Sequence, residues 1–171
     1  SKAQIPFVLI GGFAVNYYKV VRVTTDIDFL IDKRHYSRAL TLLQTFGFKE
    51  ALVQSMFARL KSNEFKLLVD FVFVDSETLS GILAEGKEIM IEKDKVIVPS
   101  INHLIALKLH AMKNNPARIE YPDFMDVIRL IRANQVNVNT GEFKDICLTY
   151  GSKELFIKII KHMSENKHEK T

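Results

Sequence analysis

Apolar and polar positions divide the chain near residue 100. Short apolar runs separated by turn residues come first, and a 3.6-residue periodicity takes over afterwards. Phe7–Ile10 is an apolar run closed by Gly11-Gly12, the pattern of a buried strand entering a tight turn, and Phe13–Tyr18 is expected to begin a helix. In the segment 26–32, DIDFLID, strand alternation puts Ile27, Phe29 and Ile31 on one face and Asp26 and Asp28 on the other. Tyr36, Ala39, Leu40, Leu43 and Phe46 keep helical spacing up to a stop at Gly47. Met56–Lys61 and Phe65–Asp75 flank a polar turn and predict a hairpin, whose second strand is apolar on both faces and so belongs mid-sheet. Ser76–Ala84 predicts a short helix and Ile89–Val98 a small hairpin. After Pro99, Ser100 is a good N-cap for a helix running to about Lys113. Further helices are expected near Asp123–Ala133, Glu142–Tyr150 and Lys153–Ser164, and the last residues, NKHEKT, are expected to fray. The expected class is α/β (α+β), a mixed central sheet followed by a helical bundle.

The informative residues are those that break this pattern. Asp26 and Asp28 put two like charges on one face of an apolar strand, where they repel and are poorly solvated. A divalent cation such as Mg²⁺, which prefers carboxylate oxygens, would relieve that conflict; a strand end with solvated acids is the plainer alternative. Asp70 is the sole charge in the apolar run Leu67–Val74, and it needs a partner, a cation or a raised pKa. Lys108 falls in the middle of the stripe formed by Ile101, Leu104, Ile105 and Met112. It must snorkel, pair with a buried acid or aim at a ligand, and a purely structural Lys108 is expected to tolerate methionine. Asp123 shares a face with Val127 and Leu130, with Asp126 at the edge of that stripe; capping the helix after Pro122 is an equal alternative for Asp123.

Composition narrows the choices. The 171 residues suit one ordinary domain, or a domain with a small appendage, and 47% hydrophobic against 26% charged residues are globular values. No apolar stretch reaches the ~18 residues of a membrane span, so no membrane role is expected. No secretory signal is visible, and a strand that begins almost immediately after Ser1 suggests a native leader upstream. A single cysteine, Cys147, excludes an internal disulfide framework and fits a cytoplasmic setting. The net charge of +4 allows an anionic ligand, a nucleotide or RNA, without requiring one. His35, His103, His110, His162 and His168 form no HExxH, and neither a Walker A motif nor GxGxxG is present. Lys153, Lys158, Lys161, Lys167 and Lys170 fit a solvated helix face.

Together, a glycine turn, a DxD, a lone strand carboxylate and a misplaced lysine resemble the nucleotidyltransferase superfold of DNA polymerase β and the aminoglycoside nucleotidyltransferases. Within it the chain is most similar to the abortive-infection AbiEii-type toxins. Their GGxAv…RxTxDiD block matches Gly11–Val15 and Arg22–Asp28, and their lKlxA…KDxxD block matches Leu107–Ala111 and Pro122–Asp126, with Pro122 replacing the family's lysine. The resemblance covers most of residues 7–131. It implies a catalytic core over residues 1–99 and a helical subdomain over 100–171 that completes the active-site cleft. It implies Asp26, Asp28 and Asp70 as catalytic ligands of one or two Mg²⁺ ions, with Asp70 as general base. Gly11, Gly12, Arg22, Thr25, Lys108, Asp123 and Asp126 are the implied nucleotide-binding residues. The implied reaction moves a nucleoside monophosphate from an NTP to a hydroxyl of tRNA, protein or a small molecule, with an antitoxin as partner. The competing expectation is a catalytically silent binding module or antitoxin-like protein, against which the three intact acids speak.

Overall fold

The computed structural model describes residues 5–120 and 122–165; the tail expected to fray, with Lys167, His168 and Lys170, lies outside them. The chain forms two compact units. One holds the residues up to Asn16 with Arg22–Ser100, and the other holds Tyr17–Val21 with the chain from Ile101 onward.

The first unit is built on a five-stranded mixed sheet. In chain order its elements are β1 (Phe7–Leu9), α1 (Gly11–Tyr17), β2 (Asp26–Asp32), a 3₁₀ turn (Lys33–His35), α2 (Tyr36–Gln44), β3 (Lys49–Val53), β4 (Phe57–Ser62), β5 (Leu67–Val74), α3 (Ser76–Glu85), β6 (Lys87–Ile91) and β7 (Asp94–Val98). The sheet order is β1-β2-β5-β4-β3, and β6 with β7 forms a separate hairpin. Strand β2 runs parallel to β5 and antiparallel to β1, while β4 is antiparallel to both β5 and β3. One sheet face carries the core: Ile31, Val69, Phe71, Phe73, Ala58 and Leu60, joined by Ala39 and Phe48. Phe29 stacks on Phe71, and Tyr36 meets Phe71 and Phe73 edge-on, so α2 is fixed over this face by aromatic contacts. The alternation expected for 26–32 therefore holds, and it leaves Asp26, Asp28 and Asp70 on the opposite face.

Strand β3, KEALV, has no counterpart among the sequence expectations. It is exposed along its whole length and pairs only with β4, through a bulge between Glu50 and Leu52. A solvated edge strand has no buried face to impose alternation, which is why its sequence carries no period.

The helical unit contains α4 (Ile101–Asn114), α5 (Ala117–Glu120), α6 (Asp123–Ala133), α7 (Gly141–Tyr150) and α8 (Lys153–Glu165). Helix α4 packs against α6 and α7, burying Leu104, Ile105, Leu109 and Met112 with Val127, Ile128, Leu130, Ile131, Phe143 and Cys147. Asn134 at the end of α6 donates to the Tyr18 carbonyl at 3.0 Å, which ties residues 17–21 to this unit. No helix among the described residues is long and apolar enough to cross a membrane.

Candidate active site

The parallel register of β2 and β5 sets Asp28 directly beside Asp70. With Asp26 two residues earlier on the same face, the three carboxylates converge, and one oxygen from each lies within 4.8 Å of the others. Asp70 is buried, and Asp26 and Asp28 are half-buried. Among the described residues this is the one group of three such side chains.

The glycine turn explains how the carboxylates fit. Ile10 N–H donates to the Asp28 carbonyl at 2.9 Å, extending the β1–β2 pairing to the point where the chain turns. Gly11 follows at φ +63°, and a Cβ there would lie 1.8 Å from Asp28 Oδ2. Only a residue without a side chain leaves the Asp28 carboxylate its place. At Gly12 a Cβ would come within 2.6 Å of Thr24 Cβ. Gly11 is thus required by the Asp28 carboxylate and Gly12 by the Thr24 side chain, both within this unit, before any ligand is considered.

Two residues of the site were not among the sequence candidates. Thr24, rather than Thr25, serves the acids: its hydroxyl donates to Asp26 Oδ1 at 2.6 Å, whereas Thr25 is exposed. Arg59 faces Asp70 across β4 and β5 and grips it with two bonds, Nε to Oδ1 at 2.8 Å and Nη2 to Oδ2 at 2.6 Å. Hydrogen bonding to Asp70 raises the Arg59 pKa against the opposing effect of burial, and the charges of Asp70, Asp26 and Asp28 add to the rise. Arg22 is held by its backbone: its N–H donates to Asn16 Oδ1 at 2.7 Å, and Asn16 Nδ2 donates back to its carbonyl at 3.0 Å.

Lys108, Asp123 and Asp126 form a second group, inside the helical unit. Lys108 Nζ donates to Asp123 Oδ1 and to Asp126 Oδ2, each at 2.7 Å, and all three residues are buried. Arg118 on α5 donates to the other Asp123 oxygen. Of the alternatives for Lys108, pairing with buried acids is the one observed. Asp123 does not cap α6; Pro122 is the N-cap residue and makes no side-chain bond there. Burial works to raise the Asp123 pKa, but the bond from Arg118 and the charge of Lys108 outweigh it, and the carboxyl titrates below its ordinary range.

The donor set of the strand site fits a hard divalent ion: three carboxylates, oxygen ligands only, with one oxygen from each within 4.8 Å of the others. The chain resembles solved nucleotidyltransferase folds at low identity. It matches the lincomycin-bound lincosamide antibiotic adenylyltransferase LnuA at 16% identity and TM-score 0.54, covering 74% of this chain and 86% of that one. The solution structure of antibiotic-resistance factor ANT(2'')-Ia matches at 14% identity and TM-score 0.55, over 96% and 85% of the two chains. An antigenic nucleotidyltransferase-like protein from Paracoccidioides brasiliensis matches at 18% identity and TM-score 0.53, over 97% and 82%. By sequence comparison no curated protein matches at a significant level. The family model for the nucleotidyl transferase AbiEii toxin of type IV toxin–antitoxin systems matches residues 1–170. The chain belongs to the AbiEii nucleotidyl transferase toxin family.

Proposed function

We propose that the protein is a Mg²⁺-dependent nucleotidyltransferase that moves a nucleoside monophosphate from an NTP to a hydroxyl acceptor and releases pyrophosphate. Its biological role, on this reading, is that of the toxin paired with an antitoxin. The observation that carries the proposal is the convergence of Asp26, Asp28 and Asp70 within 4.8 Å on one sheet face. Three acids so close repel one another, and a divalent cation bound by all three would relieve that repulsion beyond what Arg59 does for Asp70. Family membership supports the reaction class.

Asp26 and Asp28 would hold the ion, with Asp70 sharing it. When bound, it would offset the negative charge on the triphosphate and on the oxygens of the reacting α-phosphoryl group. Thr24 fixes Asp26 through its 2.6 Å hydrogen bond, and Arg59 fixes Asp70 through two. A carboxylate offers about four lone-pair positions, so the Arg59 bonds leave Asp70 able to accept a proton. Asp70 takes the proton of the acceptor hydroxyl, and that oxygen attacks the α-phosphorus. The bond from the α-phosphorus to the bridging oxygen of the β-phosphate breaks, and pyrophosphate departs with that electron pair.

The acceptor is sought among tRNA, protein and aminoglycosides, each offered with the four labelled NTPs. Transfer by the wild type with at least one pair, abolished in Asp28→Asn, is the expected outcome. Equal labelling by both proteins, or none by either, removes the proposal.

A further inference from the structure

The acid cluster carries its own cation. Arg59 spans both oxygens of Asp70, and its side chain stays 38% exposed while that of Asp70 is 4% exposed. Its guanidinium also lies 5.7 Å from the centre of the Phe57 ring, two residues away on the same strand, which restrains its direction. Thr24, the partner of Asp26, is neutral. The Arg59 guanidinium thus sets a fixed positive charge against Asp70 at the edge of a group of three carboxylates.

We propose that Arg59 is a positioning residue of this site: it keeps Asp70 aligned with Asp26 and Asp28 before substrate arrives, and it weakens the hold on a free divalent ion. The proposal rests on the metal-site reading above. Two demands meet at Arg59. Without it the crowded acids lack their charged partner and the metal-free site loses stability. With it, a fixed positive charge stands against an incoming divalent cation, a repulsion expected to weaken binding of the bare ion roughly tenfold. An ion arriving already bound to a triphosphate brings compensating negative charge and escapes most of this penalty, so the site discriminates for the metal–nucleotide complex.

The test uses the whole chain without nucleotide. Mn²⁺ affinity is measured by electron paramagnetic resonance and thermal stability by circular dichroism, in EDTA and in Mn²⁺, for wild type, Arg59→Gln and Arg59→Lys. Arg59→Gln is expected to melt lower in EDTA, to bind Mn²⁺ roughly tenfold more tightly, and to recover its stability as Mn²⁺ saturates the site. Arg59→Lys keeps the charge but loses the two-pronged grip, so its Mn²⁺ affinity stays near wild type while its melting point in EDTA is intermediate. If Arg59→Gln is unfolded in EDTA, refolding on addition of Mn²⁺ is the expected result, and failure to refold overturns the proposal. Unchanged or weaker Mn²⁺ binding by a folded Arg59→Gln also overturns it, leaving a purely structural arginine. Wild type that binds no Mn²⁺ at all instead removes the metal-site reading on which the proposal stands.

Discussion

At the scale of single residues, the site depends on what is missing at Gly11 as much as on its acids. The Asp28 carboxylate occupies the space a side chain at position 11 would need, and the positive φ there disfavours any L residue. Gly11→Ala is therefore expected to cost about 1 kcal/mol or more in backbone strain alone and to displace Asp28, abolishing nucleotidyl transfer. Gly81, in the exposed middle of α3 with nothing within 4 Å of its Cβ position, supplies the contrast. Gly81→Ala should stabilise by about 0.5–1 kcal/mol with activity intact. Thermal melts and transfer assays on the two variants check both statements; a tolerated, active Gly11→Ala would refute the steric argument. The acids were legible in the sequence because a carboxylate in an apolar strand stands out. Arg59 was not, because an arginine in the half-exposed strand FARLKS is ordinary until the register sets it opposite Asp70. Thr24 lies outside the strand, and no periodicity distinguishes it from Thr25.

At the scale of elements, α4 and α6 were readable from their apolar stripes, and so was the oddity of a lysine inside one. The sequence did not show that both Asp123 and Asp126 would meet that lysine. Two buried acids change the expectation for Lys108→Met, which a lone structural lysine would tolerate. Removing the ammonium leaves Asp126 buried without it, a loss of about 3–5 kcal/mol for a broken buried pair. Lys108→Met combined with Asp126→Asn should lose less than the two single variants added together, because the two side chains bond each other. Additive losses in urea melts of the single and double variants would contradict the coupling. Element ends also set the acid response. Asp32 caps the 3₁₀ turn by accepting from Arg34 N–H at 2.8 Å and from its guanidinium, and these bonds lower its pKa to about 2. A pKa lower in the folded state means the contribution is complete above the ordinary 3.8 and lost as pH falls toward 2. Asp123 adds to the same trend, its pKa also being lowered. Asp32→Asn should therefore flatten stability against pH between about 4 and 2 relative to wild type. An unchanged slope there would show that the Asp32 cap does not couple to folding.

For the whole molecule, the change of period near residue 100 foretold a mixed sheet followed by helices, since alternation and 3.6-residue spacing are distinct enough to read directly. The bulged edge strand β3 and the single-turn helix α5 stayed hidden, the first because it buries no face and the second because four residues are too few to show a period. On the proposed function, the chain transfers the α-phosphoryl group with its nucleoside and expels pyrophosphate. The most direct measurement compares two labels of the same NTP, one at the α- and one at the γ-phosphate, with the acceptor that the panel identifies. The α label should appear on the acceptor and the γ label in pyrophosphate, with both signals lost in Asp28→Asn. A γ label on the acceptor, with the α label left in a free nucleoside diphosphate, would mean phosphoryl transfer and contradict the claim.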